Sequence, residues 1–575
     1  MSDLYRLALA LRSAEDAALS ILVHERSLSL SEFKDFYDLA QAVLNPKSQA
    51  LLASSISASQ ISSLRSLINK EKISKEQVSF LANDLFIWSN QEPVVFDWLT
   101  DRLSENPRTA SLKVVTEPKA IPEPESIDRD CGIHAFEAMQ SVTELIFSFD
   151  QHLIKEVSKG AMGLPDVKRL STHLGKSKEY VKAILELAKV CGLVTISEKR
   201  FHPTELADSW INSDQKTRWQ MLAQAWLAMI GASGAKELAL NNQRTPKKAL
   251  AELIDASFPL AHSSAQSRIG RLAELAEAIG LSAGGFAASW LEQVLAGKLS
   301  AATKALEQRL PAQQERIIVQ ADLSIVAPGP LASTVEIALR KFTDTENIGL
   351  ATSYRISPIS ISCGLEEGLS EKQIRTLLEK LSGSKIAQPV DYLLTETAER
   401  FGRLKISQNE FGSILVSSDE LLGKQILMDS KLKPLALKKV ENQIISPLLP
   451  EYLYHALRES GYLAIRVDEN GAVIAPSSIH KTGSPKTLFL DQINRLRKED
   501  LEMADQAPES DMERKIQLAL STKSILKVEI TINGKPMSFS LEPIGIANGR
   551  LRAKDRKADI ERTLPVSAIT SITIG

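Results

Sequence analysis

Residues 315–330, ERIIVQADLSIVAPGP, interrupt a sequence whose preceding part is almost entirely helical in pattern. Branched aliphatic side chains crowd into this run, and Pro328 and Gly329 end it, which is typical of a β-strand. Before the run, apolar residues recur every three to four positions, as they do on amphipathic helices. The sequence therefore predicts a mainly α protein with an α+β domain, and the run is the predicted first strand of that domain.

The length and the cysteines limit the class of protein. At roughly 150 residues per domain, 575 residues correspond to about four folded units. Cys131, Cys191 and Cys363 are odd in number and far apart, which argues against a disulfide framework and against a CxxC metal site. The first residues are too charged for a signal peptide, and no stretch approaches a membrane span. We expect a soluble cytoplasmic protein, nucleoid-associated if it binds DNA, with no membrane contact.

The overall charge is close to neutral. The chain has 69 basic and 71 acidic residues and a formal net charge of −2. A surface that attracts nucleic acid or anionic lipid everywhere is therefore excluded, because such a surface needs a large excess of positive charge. Any contact with nucleic acid must be local.

Two polar segments divide the sequence into predicted domains. Residues 105–128 contain four prolines and no amphipathic repeat, which predicts a flexible linker. Residues 476–511 are predicted as a second linker. The predicted domains around them are a helical N-terminal domain (1–104), a helical region (132–310), an α+β domain (315–475) and a small C-terminal β-barrel (512–575).

Residues 163–210, within the helical region, have the pattern of a winged helix-turn-helix. A short helix, a turn at Gly175 and a second helix over Ser177–Val190 precede the strand-like segments LVTIS and FHPT. The second helix of such a module is the usual element that enters a DNA major groove. The side chains predicted to contact phosphates are Lys176, Lys178, Lys182, Lys199 and Arg200. Because acidic residues share this helix, a solvated face and a purely protein-binding module remain alternatives.

Four segments carry a resemblance to a known family. They are RIIVQADLSIVAPGP (316–330), SYRISPISI (353–361), GLSEKQIRTLLEKLSGSKIAQPVDYLLTETAERFGRLKI (368–406) and SILVSSDELL (413–422). In order and spacing they resemble the domain N-terminal to the motor of XPB-type DNA helicases, and the longer chain resembles stand-alone actinobacterial helicase-associated proteins. The resemblance implies an accessory domain that works with a helicase on DNA.

The motor of such helicases is not predicted in this chain. A motor needs a phosphate-binding GxxxxGK[ST] loop after a strand. Gly175-Lys176-Ser177 resembles the end of that loop, but Leu170 stands where the first glycine belongs, and two predicted helices flank the tripeptide. The histidines and carboxylates form no metal-binding spacing. The sequence therefore predicts a protein that is not an enzyme and has no cofactor and no metal.

The C-terminal segment reads as short strands with Asn-Gly turns at 533 and 548, which predicts a small SH3-type barrel. Its helix, strand, turn and strand ending in EPIGI resemble a WYL-type domain. The Trp-Tyr-Leu signature is absent, which puts the ligand-sensing role of such domains in doubt. The basic residues predicted to follow a nucleic-acid backbone are Arg550, Arg552, Lys554, Arg556 and Lys557. A solvated edge strand protected by its charges is the alternative.

Together these patterns predict a non-catalytic, DNA-associated adaptor or regulator in transcription or helicase-linked DNA repair. The alternative is a scaffold that docks to a helicase or an RNA polymerase without touching DNA. The winged-helix pattern and the basic C-terminal strand favour DNA, whereas the near-neutral charge favours the scaffold.

Overall fold

The computed structural model describes most of the chain. The described residues are 3–16, 19, 22–23, 33–83, 86–89, 93–105, 123–151, 154–158, 160–197, 199–244, 249–261, 268–410, 412–441, 443–475, 492–501, 512, 515–517, 519–520, 524–532, 535–556 and 558–574. Within these residues, no helix is both long enough and apolar enough to cross a membrane.

Helices dominate the described chain before residue 310 and alternate with strands after it. In chain order they are α1 (Asp3–Ser13), α2 (Phe36–Val43), α3 (Pro46–Ser54), α4 (Ala58–Ile68), α5 (Lys75–Asn83), α6 (Asp97–Glu105), α7 (Pro124–Gln151), α8 (Leu164–Leu174), α9 (Lys178–Val190), α10 (Glu205–Asn212), α11 (Gln215–Arg244), α12 (Leu250–Ser257), α13 (Arg268–Ala278), α14 (Leu291–Leu295), α15 (Leu299–Glu307), α16 (Ser333–Arg340), α17 (Pro358–Glu366), α18 (Glu371–Ser382), α19 (Gln388–Arg400), α20 (Glu420–Met428) and α21 (Pro450–Glu459).

The strands form small sheets. In chain order they are β1 (Ile87–Ser89), β2 (Pro93–Val95), β3 (Glu156–Ser158), β4 (Ala161–Met162), β5 (Val194–Ser197), β6 (Arg200–Pro203), β7 (Ser282–Ala283), β8 (Phe286–Ala287), β9 (Ile318–Val319), β10 (Ser324–Ala327), β11 (Asp344–Asn347), β12 (Thr352–Arg355), β13 (Leu404–Asn409), β14 (Gly412–Ser417), β15 (Lys438–Val440), β16 (Gln443–Ser446), β17 (Ala464–Arg466), β18 (Leu526–Ile532), β19 (Lys535–Ala547), β20 (Arg550–Asp555), β21 (Ile560–Pro565) and β22 (Ile569–Ile574). Helices and sheets together make an α+β protein, as the sequence predicts.

The chain divides into two units. The first unit comprises Met1–Lys119, Ile230–Leu272 and Lys486–Gly575. It brings the two ends of the sequence together, because Leu11 of α1 and Leu541 of β19 belong to one continuous buried core. The segments 1–104 and 512–575, predicted as separate domains, both lie in this unit.

The C-terminal sheet is open and not a closed barrel. Its strand order is β21-β20-β19-β18-β22, and the two outer strands do not pair with each other in the described residues. The buried apolar residues of β20, Leu551 and Ala553, join the core that the N-terminal helices share. The barrel prediction is therefore wrong, because helices cover the apolar face that a barrel would close around. The resemblance to WYL-type domains stays a prediction.

The Asn-Gly pair at 548 makes the turn that the sequence predicts. Asn548 and Gly549 both have positive φ, 52° and 67°, and connect the antiparallel strands β19 and β20. Two positive φ angles in succession are the reason that Asn-Gly is favoured in two-residue hairpins. The other predicted turn, at 533, lies outside the described residues.

Both predicted linkers contain helical residues in the parts that the structure describes. Helix α7 starts at Pro124, so the last residues of the predicted linker 105–128 form its first turn, where proline is well tolerated. Residues 106–122 lie outside the described part. In the predicted linker 476–511, residues 492–501 are helical, and Ile493 is buried in the core of the first unit.

The second unit comprises Ala120–Met229 and Ala273–Pro485. Its first part is built on α7, whose Met139, Val142 and Leu145 are buried. The indole N–H of Trp210 in α10 donates to the hydroxyl of Thr143 in α7 at 2.9 Å. This helix of 28 residues, mostly buried from Cys131 onward, thus holds the surrounding shorter helices together through apolar packing and a satisfied polar contact.

The α+β part of this unit begins with a hairpin. Strands β9 and β10 pair antiparallel within a four-stranded sheet of order β11-β12-β10-β9. The carboxylate of Asp322 accepts hydrogen bonds from the backbone N–H and the hydroxyl of Ser324, and Leu323 has a φ of 71°. The prediction of one strand over 315–330 is therefore wrong, because an aspartate turn reverses the chain inside it.

Helices α18 and α19 pack beside this sheet. A capping box joins Ser370 and Gln373 at the start of α18, and Gly383, with a φ of 70°, ends the helix. The buried residues Ile374 and Leu378 are four positions apart on one face.

The second sheet has the order β15-β16-β14-β13-β17, and only β13 and β17 run parallel. Its core contains Leu404, Ile406 and Leu415 from the strands and Leu453 and Leu457 from α21. Strand β15 is an edge of this sheet.

A buried ion-pair network joins α16 to α7. Arg340 contacts the carboxylate of Glu144, and their side chains are only 8% and 5% exposed. Arg340 also donates to Glu336 and to Thr345, both at 3.0 Å. Burial alone would raise the pKa of Glu144, but Arg340 and His173 lower it to about 2. A buried ion pair therefore connects the helical and α+β parts of the second unit, and loss of either partner would leave an uncompensated buried charge.

A second buried network joins α17 to α21. Arg458 contacts the carboxylate of Glu366, and Tyr454 donates its hydroxyl to the same carboxylate at 3.1 Å. Burial raises the pKa of Glu366 to about 7, against the opposite effect of Arg458. The two sheets of the α+β part are thus connected by hydrogen-bonded charges in addition to apolar packing.

Candidate nucleic-acid interface

Helices α8 and α9 lie in tandem with a tight turn between them. Gly175 ends α8 with a φ of 60°, and Ser177 caps α9 by accepting a hydrogen bond from the backbone N–H of Tyr180. In the Gly175-Lys176-Ser177 tripeptide, the glycine therefore ends one helix and the serine caps the next. These two roles account for the glycine and the serine without a phosphate-binding loop.

A two-stranded hairpin follows the second helix. Strands β5 and β6 pair antiparallel from Val194 and Pro203 to Ser197 and Arg200. Helix α9 buries Val181, Ile184 and Leu185. Its opposite face is exposed, so this helix is positioned by its apolar side and presents its polar side outward.

The five basic residues predicted in this region differ in their surroundings. Lys178 and Lys182 are exposed one helical turn apart on α9, and Lys199 is exposed in the hairpin turn with a φ of 60°. Lys176 lies 2.6 Å from the carboxylate of Glu137. Three of the five side chains are therefore exposed to solvent, and a fourth, Lys176, is ion-paired.

Arg200, the fifth, points away from solvent. Its guanidinium lies 3.3 Å from the carboxylate of Glu451, contacts the hydroxyl of Tyr452 and stacks over the Tyr452 ring at 4.6 Å. The side chain is only 12% exposed. Arg200 thus fastens the hairpin to α21, and a phosphate contact would require breaking these interactions.

The basic C-terminal strand has the predicted alternation. Arg550, Arg552 and Lys554 are exposed on one face of β20, and the intervening residues are buried. Lys557 lies outside the described residues.

Acidic neighbours compensate most of that charge. Arg552 lies 2.6 Å from Glu561, and Lys554 lies 2.7 Å from Asp559. Arg556 lies 3.7 Å from Glu542. Since a phosphate would meet carboxylates beside these cations, the strand offers much less positive potential than its sequence suggests. The sequence analysis did not predict these pairs because Glu542 and Glu561 lie on neighbouring strands and Asp559 lies in the turn before β21.

The cysteines are not activated nucleophiles. Burial raises the pKa of the thiols of Cys131, Cys191 and Cys363, which keeps them protonated. In the part of the chain that the structure describes, no group of three or more His, Cys, Asp or Glu side chains is placed to hold a metal ion.

Comparisons with known proteins identify one region. Residues 317–441 match the model of a helicase conserved C-terminal domain. Part of the chain is 25% identical over 133 residues to the DNA 3'-5' helicase XPB of Mycobacterium tuberculosis, a match that covers 22% of this chain and 24% of that helicase. The chain contains a helicase-related segment. It spans about a quarter of the length of the helicase it matches. The finer resemblance, to the domain N-terminal to the motor, stays a prediction.

The matched segment has no phosphate-binding motif. It contains the first sheet, whose strand pairs are all antiparallel, and helices α16–α20. Its Gly423-Lys424 pair lies inside α20 and is followed by Gln425. None of the four Gly-Lys pairs in the full sequence completes a GxxxxGK[ST] loop.

Proposed function

We propose that this chain is a non-catalytic, DNA-associated adaptor or regulator that works with a helicase in DNA repair or transcription. The similarity of residues 317–441 to a helicase domain is the observation that supports it. The similar protein of Mycobacterium tuberculosis is a DNA 3'-5' helicase, which makes DNA the natural partner of this chain. The missing phosphate loop supports an accessory role for this chain, because a motor cannot hold ATP without it.

In this proposal α8, α9 and the β5–β6 hairpin act as a winged helix. The second helix, α9, is the element that would approach a groove. Lys178 and Lys182 on α9 and Lys199 in the hairpin turn would contact phosphates, since all three are exposed. Lys176 and Arg200 would instead hold the module in place through Glu137 and Glu451.

The second candidate function is a protein scaffold that docks to a helicase or an RNA polymerase without DNA contact. The observation that favours it is the charge balance. The whole chain has a net charge of −2, and acids pair with Arg552 and Lys554 on the C-terminal strand. A scaffold would bind its partner equally well after nuclease treatment.

The purified chain is expected to show no DNA-stimulated ATP hydrolysis, because no segment of its sequence forms a phosphate loop. The measurement is phosphate release with and without DNA, and Lys176→Ala is the matched variant, since Lys176 stands in the Gly-Lys-Ser tripeptide. DNA-stimulated turnover that disappears in this variant would show that the non-catalytic proposal is wrong.

A further inference from the structure

Residues 430–440, SKLKPLALKKV, contain four lysines and no acidic residue. In the second unit they form a 3-10 helix (Ser430–Leu435) after α20 and then the edge strand β15. Lys431, Lys433, Lys438 and Lys439 are all exposed, and we call these four side chains the lysine surface.

The backbone beneath the lysine surface is held in place. Leu432 and Leu435 are buried in the core of the second sheet, and the hydroxyl of Ser446 donates to the carbonyl of Leu435 at 2.8 Å. The carboxylate of Asp429 caps the 3-10 helix and accepts a hydrogen bond from the hydroxyl of Tyr462 at 3.0 Å. The lysines therefore project from a fixed segment, which lowers the entropy lost when they contact a ligand.

The lysine surface differs from β20 in its charge compensation. Within the described residues, no carboxylate lies within 4 Å of any of its four amines, whereas three of the cations of β20 and its turn have acidic partners. The nearby Glu420 is bound to Lys424 at 2.9 Å, and it interacts with Lys439 only as a weaker, more distant charge. Asp429 and Glu441 flank the run, but in the described part of the chain neither forms an ion pair with one of the four amines, so all four remain available to a ligand.

Protection of an edge strand explains only part of this pattern. Lysines on an exposed edge prevent pairing with another sheet, and Lys438 and Lys439 on β15 can serve that purpose. Lys431 and Lys433 are on the 3-10 helix and guard no strand edge. A second role is needed to account for them.

We infer that the lysine surface binds the phosphate backbone of nucleic acid. The inference rests on the proposed association with DNA and adds a contact inside the helicase-related segment. Lysine amines act as point charges that suit phosphate oxygens without reading base sequence. Among residues 430–440 the exposed apolar side chains are Pro434, Ala436 and Val440, and Met428 is exposed two residues before the run. An acidic protein segment is therefore the competing occupant, and the test below separates it from nucleic acid.

The test is the affinity of the full chain for a fluorescent duplex of mixed sequence, measured by anisotropy over a range of salt. The test variant combines Lys431→Glu, Lys433→Glu, Lys438→Glu and Lys439→Glu. The control variant makes the same charge change at four other exposed lysines of the second unit, Lys298, Lys304, Lys372 and Lys380. Circular dichroism checks that both are folded. If the test variant is not folded, Lys→Gln at the same four positions removes the same contacts.

Four phosphate contacts contribute about −3 to −4 to the slope of log affinity against log salt. The test variant should therefore lose roughly two orders of magnitude in affinity at about 50 mM salt and show a correspondingly flatter slope. The control should stay close to the parent chain. Equal affinity and slope for parent and test variant would overturn the inference while leaving the proposed function standing.

Two further outcomes are distinguishable. If the parent chain does not bind the duplex at low salt, the proposed function and the inference fail together. If the parent binds poly-glutamate of matched charge more tightly than the duplex, and the test variant loses that binding, the occupant is an acidic protein segment. That result would also overturn the nucleic-acid inference.

Discussion

Replacing Arg340 by alanine is expected to destabilise the second unit by about 3–5 kcal/mol, because the change leaves the buried carboxylate of Glu144 without its main partner. The guanidinium also lies over the Phe147 ring at 4.5 Å and binds Glu336, so several contacts disappear together. The measurement is the urea midpoint followed by tryptophan fluorescence, since Trp210 and Trp219 are fully buried in this unit.

Arg400→Ala is the matched control for this prediction. Arg400 is the last residue of α19, as Arg340 is of α16, and each has a glutamate one turn earlier. The Arg400–Glu396 pair is 2.7 Å long, but the arginine is 58% exposed. Its loss should cost less than about 1 kcal/mol, because solvent screens exposed pairs. Similar midpoint changes in both variants would contradict the assignment of Arg340 as a buried structural charge.

Replacing Gly280 by alanine should also cost about 3–5 kcal/mol, the sum of a left-handed backbone penalty and a steric clash. Gly280 has a φ of 73°, and an added Cβ would lie 2.1 Å from the carbonyl oxygen of Cys131 in α7. That atom belongs to the helix backbone, which cannot move aside without disturbing the core of the second unit.

Gly284→Ala separates the two contributions. Gly284 has a φ of 56°, but an added Cβ there would meet nothing within 4 Å. Its replacement should therefore cost only about 1–2 kcal/mol. Thermal unfolding of the two variants under the same conditions gives the comparison. A Gly280 variant no less stable than the Gly284 variant would show that the close approach to α7 is not present in solution.

The sequence predicts local structure well where capping and turn residues agree with periodicity. Gly175 ends α8, Ser177 caps α9 and Asn548-Gly549 makes its hairpin turn, because such residues act through their immediate neighbours. The hairpin within 315–330 was missed since a short aspartate turn inside an apolar run leaves the run looking continuous.

Long-range arrangement was the least predictable part. Glu144 and Arg340 are 196 positions apart, and no local pattern signals that they pair. The open C-terminal sheet likewise depends on apolar residues near the other end of the chain. For the candidate site, residue spacing correctly predicted that the lysines of α9 lie on a helix and that the cations of β20 share one face, but it could not show the acidic neighbours of the β20 cations. The acid-free run 430–440 was the overlooked signal, since it can be counted directly in the sequence.

We propose that the chain associates with DNA without a motor of its own. The most direct test is equilibrium binding of the purified full chain to a fluorescent duplex at about 50 and about 200 mM salt, without ATP. We expect micromolar or tighter binding at the lower salt and an affinity lower by at least about tenfold at the higher salt, because phosphate contacts release counterions. No binding at about 50 mM salt with protein up to about 100 μM would contradict the account and favour the protein scaffold.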